Sequence, residues 1–113
     1  MKMGGDNFEE FSKIRILTGT ILEAKINPLA KNPAYILRIN FGFYGMKTSS
    51  AQITRNYSPE DLVGMQITAL VDIPPKRIAG VKSEVLVLGV YSLDKEIVLL
   101  SPTESVEDGS LVC

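Results

Sequence analysis

Histidine is absent from the 113 residues, and the one cysteine, Cys113, stands last. Ser-His and Cys-His nucleophile pairs, the usual zinc sites and most general-base schemes are therefore closed to this chain. A single cysteine forms neither an internal disulfide nor a two-cysteine metal site. Nor is there a phosphate-cradling glycine loop or a pair of carboxylates at a motif spacing. The composition points to a binding protein rather than an enzyme, and it implies no cofactor and no metal. What remains is the chemistry of cations and hydroxyls. Lys76, Arg77 and Lys82 gather around Gly80 directly after Pro74-Pro75, and lysine and arginine side chains neutralise phosphates. Ser49, Ser50 and Gln52 supply donors and acceptors without charge. Their alternative role is the polar outward face of an antiparallel strand.

The net charge of −1 hides an uneven distribution. Residues 25–82 carry eight basic and three acidic side chains, a net of +5. Residues 83–113 carry one basic and six acidic ones, a net of −5. Such a basic middle can bind a polyanion despite the near-neutral total, because charges act within a Debye length of roughly 8–10 Å. No apolar run approaches the ~20 residues that span a membrane. The polar, acidic N-terminus has no signal-peptide core, and the expected location is cytoplasmic.

The elements that must hold these side chains are mostly strands. Ile14 to Ala24, Tyr35 to Phe41, Met46 to Ile53, Gln66 to Ile73 and Val85 to Val90 read as five strands, and Gly19 suggests a bulge or sharp bend in the first. In the second, Tyr35, Leu37, Ile39 and Phe41 share one face. The run Val85-Leu86-Val87-Leu88 predicts a strand buried on both sides. Asp6 to Phe11 reads as a short helical turn, capped by Asp6 or Asn7, that places Phe8 and Phe11 over the core or against a second subunit. Ser58-Pro59-Glu60-Asp61 is a helix start: an N-cap, proline at the first helical position and acidic residues in the first turn. Pro74 and Pro75 close the fourth strand and stiffen the basic loop. Strands one to three, a short helix and two more strands is the order of an OB-fold, a five-stranded Greek-key barrel with a capping helix between strands three and four. The expected fold class is thus mainly all-β. It forms a single domain over 1–113, with 1–7 and 102–113 peripheral.

Four stretches carry a closer likeness: P-P-K-R-I-A-G-V-K-S-E-V-L-V-L-G (74–89), S-S-A-Q-I-T (49–54), Y-S-P-E-D-L-V-G (57–64) and N-P-A-Y-I-L-R-I-N-F-G (32–42). Together they resemble the tRNA-binding-domain family over roughly residues 8–112. Within it, the likeness is to a branch of stand-alone, export-related chaperones. Two departures from the general family pattern lean the same way. Glu84-Val85 replaces a Gly-Met after Ser83, and Asn27-Pro28-Leu29-Ala30-Lys31-Asn32-Pro33 replaces a loop of the type His-Pro-Asn-Ala-Asp-Lys-Leu. The resemblance implies an OB-fold homodimer that binds tRNA largely by shape. Carried onto this chain, its RNA-facing positions are Lys76, Arg77, Lys82, Ser83, Glu84, Ser49, Ser50 and Gln52.

Two functions follow as expectations. In the first, Lys31, Lys47, Arg55, Lys76, Arg77 and Lys82 contact tRNA phosphates. Ser49, Ser50 and Gln52 bond riboses or base edges, and Tyr35 or Tyr44 stacks a base. In the second, Phe43, Tyr44 and Met46 form an apolar surface for unfolded or export-bound polypeptides. Those three residues equally suit a dimer contact, as do Phe8, Phe11 and Ile97 to Leu100.

Overall fold

The first strand is longer at its far end than its alternation predicts, because it serves two partners in turn. The computed structural model describes residues 5–113, with side chains from Phe8 onward. After a helix α1 (Gly5–Ser12), strand β1 (Ile16–Ile26) pairs antiparallel with β2 (Tyr35–Asn40) through residues 20–26. Through residues 16–20 it pairs with β4 (Gln66–Leu70). Strand β3 (Met46–Ala51) lies on the outer side of β2, and the two-residue β7 (Leu86–Val87) lies on β4. The sheet order is β3-β2-β1-β4-β7, a nearly closed five-stranded antiparallel barrel of the OB type.

The predicted bulge is present but displaced. The register of β1 shifts between Ile21 and Glu23 rather than at Gly19. Gly19 answers a different need: a Cβ there would come within 2.8 Å of Ile39 Cγ2 and Phe41 Cδ1. The barrel interior is filled by Leu17, Ile21, Tyr35, Leu37, Ile39, Phe41, Ile67, Ala69 and Val85. The alternation of β2 therefore sorts its side chains as the sequence predicts, with apolar residues inward at every second position.

Helix α2 (Pro59–Leu62) closes one end of the barrel between β3 and β4. Its capping box is complete: Ser58 Oγ accepts from the Asp61 amide, and the Asp61 carboxylate accepts from the Ser58 amide. Gly64 follows with φ of 92°, the left-handed conformation that ends helices. Leu62 is thereby driven fully into the core.

The expected fifth strand needs correction. Leu86 is 51% exposed while Val85 is buried, so the Val85–Leu88 run is covered on one side only. The strand there lasts two residues, and the chain turns at once into a hairpin of β8 (Gly89–Tyr91) and β9 (Ile97–Leu99). Of the two places expected for Phe8, over the core or against a second subunit, the first does not hold, since Phe8 is 57% exposed. The caps proposed at Asp6 and Asn7 concern side chains outside the described residues. Finally, Thr18 donates its amide to Ser110, Gly109 to Thr18 and Val112 to Ile16. Residues 109–112 thus occupy the edge of β1 that β2 leaves vacant.

Candidate nucleic-acid interface

The basic stretch is a β-hairpin rather than a loop. Strands β5 (Lys76–Ile78) and β6 (Val81–Ser83) pair with Lys76 opposite Ser83, Arg77 opposite Lys82 and Ile78 opposite Val81. The two-residue turn has φ of 48° at Ala79 and 82° at Gly80. Two successive positive values mark a type I′ turn, whose twist suits a tight hairpin. Arg77 Nη1 donates to the Gly80 carbonyl at 3.0 Å. Among the described residues, none of Lys31, Lys76, Arg77 and Lys82 has a carboxylate within ion-pair distance. Arg77 opposite Lys82 places like charges side by side, an arrangement that weakens a hairpin and that an anionic ligand would relieve.

The loop between β1 and β2 folds down onto this hairpin. Asn27 Nδ2 donates to the Ala79 carbonyl at 3.3 Å. Between loop and hairpin lies a groove of about 360 Å³, lined by Leu29, Lys31, Asn32, Ser50, Gln52 and Ile78 among others. Asn32 and Gln52 also line a second, polar groove of about 390 Å³ that holds Arg55, Asn56, Lys95 and Glu96. The surface thus runs continuously from hairpin tip to Arg55. Arg55 is mostly exposed and lies 3.5 Å from Glu96, a contact that water screens heavily. Lys95 and Asn32 belong to this surface although sequence reasoning passed over them. Lys95 takes φ of 65° in the turn between β8 and β9, and only the folded chain brings that turn beside Arg55.

The hydroxyls and the carboxylate of the same motif do something else: they close the barrel. β3 is the outer strand of the described sheet, and side chains together with one backbone bond join it to residues 83–85. Ser83 Oγ accepts from the Ser50 amide at 3.0 Å, and Glu84 Oε1 accepts from the Thr48 amide at 3.1 Å. The Glu84 amide donates to the Thr48 carbonyl at 2.8 Å, and Ser49 Oγ donates to the Val85 carbonyl at 3.1 Å. Ser49 is 1% exposed and Ser83 7%, so neither hydroxyl reaches the surface. Among the described residues, no buried side-chain nitrogen or oxygen lacks a partner. Of the four, Ser50 alone also lines the groove. Tyr35 is likewise unavailable for stacking: its ring is buried, and its hydroxyl donates to the Tyr57 carbonyl at 2.7 Å.

The aromatic turn lies at the other end of the β2–β3 pair, beyond Asn40 and Met46. It forms a 3-10 turn over Gly42–Tyr44 that leaves Phe43 97% exposed. Phe43 and Tyr44 meet edge to face at 5.5 Å between centroids. The Arg15 guanidinium stands 5.0 Å from the Tyr44 ring centroid and grips Asp72 through two hydrogen bonds of 2.7 Å. That hydrogen-bonded pairing raises the Arg15 pKa further and holds the Asp72 carboxyl below its usual range. Lys47 lines the small cleft beside this cluster and not the groove beside the hairpin. Met46 is at the margin of exposure.

Comparison with known proteins follows the same lines. A family model described as a putative tRNA-binding domain matches residues 16–111. Methionine–tRNA ligases align well: that of Porphyromonas gingivalis is 34% identical over 105 residues, and that of Pyrococcus furiosus is 32% identical over 111. These alignments take in 93% and 98% of this chain, yet the chain spans only 15% of either ligase's length. Among solved structures, the chaperone CsaA of Bacillus anthracis superposes with a TM-score of 0.88 at 46% identity, covering 99% of this chain and 100% of its own. CsaA of Picrophilus torridus gives 0.88 at 44% identity, covering 98% and 100%.

Proposed function

This chain belongs to the tRNA-binding-domain family, and from that premise we propose that it binds tRNA through the β5–β6 hairpin and the groove beside it, without catalysing a reaction. The observation that carries the reading is that Lys31, Lys76, Arg77 and Lys82, none of which has a carboxylate within ion-pair distance among the described residues, flank a groove with Gln52, Asn32 and Ser50 on its walls. The cations neutralise phosphates, and the amides and hydroxyl suit ribose or base edges in a nucleic acid read mainly by shape. Arg55 and Lys95 extend the track. Lys47 lies outside it and has a lesser part. Ser49, Ser83 and Glu84 act by shaping the surface rather than by touching RNA. The place of such work is the cytoplasm.

The test is a salt titration of binding to bulk tRNA. Affinity should fall steeply with salt, and Lys76→Ala/Arg77→Ala/Lys82→Ala should lower both the affinity and the slope. Absence of wild-type binding at low salt would end this reading.

A second reading, as a CsaA-type chaperone for unfolded or export-bound polypeptides, is favoured by the bare Phe43 and by the CsaA relatives. With Tyr44 and Met46 it offers apolar contact at the end of the barrel away from the hairpin. Suppression of a client's aggregation at stoichiometric protein, lost in Phe43→Ser, is the expected result. In either role we propose a homodimer, since Leu86, Val90, Tyr91, Leu93 and Leu100 leave an apolar face beside the β8–β9 hairpin. A sedimentation mass near that of one chain, 12.4 kDa, would contradict it.

A further inference from the structure

The hairpin that carries Lys76, Arg77 and Lys82 is too short to hold itself. Each strand has three residues, Arg77 faces Lys82, and Ala79 is in the left-handed region that side chains with a Cβ avoid. An isolated two-stranded hairpin is marginal in water even without these handicaps. Its base is held by the Ser83 and Glu84 contacts to β3. At its tip, among the described residues, one hydrogen bond joins it to the rest of the fold: Asn27 Nδ2 to the Ala79 carbonyl, 3.3 Å.

Asn27 is 4% exposed, and both ends of its amide are used. Oδ1 accepts from the Leu29 amide at 3.0 Å, shaping the turn into the loop that carries Lys31. Its backbone donates to the Ala34 carbonyl and accepts from the Ala30 amide, so the residue is fixed from both sides. The same loop lays Leu29 against the turn: a Cβ on Gly80 would stand 3.2 Å from Leu29 Cδ1.

We propose that Asn27 is a positioning residue, the clamp that makes two separate basic elements, the Lys31 loop and the β5–β6 hairpin, into one binding surface. The clamp itself is a property of the free protein. Its consequence for RNA rests on the tRNA reading above.

Asn27→Ser separates the two uses of the amide. A serine hydroxyl still accepts from the Leu29 amide but is too short to reach Ala79. Without RNA, amides of residues 77–82 should exchange roughly three- to tenfold faster, the factor that one net hydrogen bond represents, while those of β1 and β4 keep their protection. Bulk tRNA at low salt should bind about three- to tenfold more weakly. Lys31→Ala should also weaken binding less in the Asn27→Ser background than in wild type, because the loop no longer holds Lys31 beside the hairpin. That loss of coupling is a result that general destabilisation would not produce. Unchanged hairpin exchange, or full additivity of the two substitutions, would overturn the proposal. Should Asn27→Ser fold poorly, Asn27→Asp keeps the acceptor and sets a carboxylate against the Ala79 carbonyl. It is read by exchange alone, since its charge also repels RNA. Failure of wild type to bind tRNA would reject the RNA reading, and the exchange experiment would still decide whether Asn27 holds the hairpin.

Discussion

Two neighbouring parts of one sequence block, the hairpin at 76–82 and the closing seam at 83–84, are both polar and lie against the same strand, yet they serve opposite purposes. The seam residues have their partners within the fold: Ser83 and Glu84 accept from the amides of Ser50 and Thr48. The hairpin cations have none among the described carboxylates. A buried hydroxyl with a satisfied bond is a structural part, because exposing it to a ligand means breaking that bond. A row of unpaired, solvated cations weakens its own hairpin slightly and is ready for a polyanion. Polarity alone does not mark a candidate binding residue; burial against an internal partner, as at Ser49 and Ser83, argues against it.

The comparison can be broken at either end. The largest effect is expected from the triple substitution Lys76→Ala/Arg77→Ala/Lys82→Ala. Bulk tRNA binding at low salt should fall on the order of a hundredfold, with the log–log salt slope smaller by about two to three per chain. Chemical denaturation should shift by no more than about 0.5 kcal/mol, as for other surface changes. Ser83→Ala should do the reverse. Leaving the Ser50 amide without its acceptor should lower stability by about 1–3 kcal/mol in urea unfolding, with tRNA affinity of the folded protein little changed. Full stability combined with lost binding in Ser83→Ala would move that residue back to the interface.

A smaller gain is expected at the turn. Ala79→Asn gives the type I′ turn a residue that tolerates positive φ, and denaturation should show stabilisation of about 0.5–1 kcal/mol. The smallest effect lies at the far end of the barrel, in the exposed Arg15–Asp72 pair. The carboxyl of Asp72 is held below its unfolded value of about 3.9. Its contribution is therefore present at neutral pH and is lost as pH falls through the folded-state value. Asp72→Asn should lower the melting temperature slightly at pH 7, and the difference from wild type should shrink as pH falls through the folded-state value of Asp72. A difference that persists in acid would assign the loss to packing against Tyr44 instead.

Much of the architecture was legible before folding. Alternation in Tyr35–Phe41 reports a half-buried strand because side chains point to opposite faces with period two. The Ser58-Pro59-Glu60-Asp61 cap is read locally because its hydrogen bonds span three residues. The basic character of 76–82 was equally plain, since charge needs no partner to be seen. The roles of Ser49, Ser83 and Glu84 were not legible, because their partners lie more than thirty residues away and meet them only when the barrel closes. For the same reason the sequence does not show that Tyr35 is unavailable for stacking: its buried ring and its bond to the Tyr57 carbonyl exist only in the folded chain.

By itself, then, the sequence determined the four long strands of the barrel, where the capping helix starts, that chemistry by histidine or paired cysteines is absent, and where positive charge is concentrated. All of these depend on residue type and short-range periodicity. Tertiary structure alone decided which polar side chains stay available. It turned Ser49 and Ser83 inward, set the Asn27 amide on the hairpin tip, brought Lys31, Gln52 and Arg55 onto one surface, and left Lys47 in a separate cleft. Hydrogen bonds and burial between distant segments make those choices, and no local pattern encodes them.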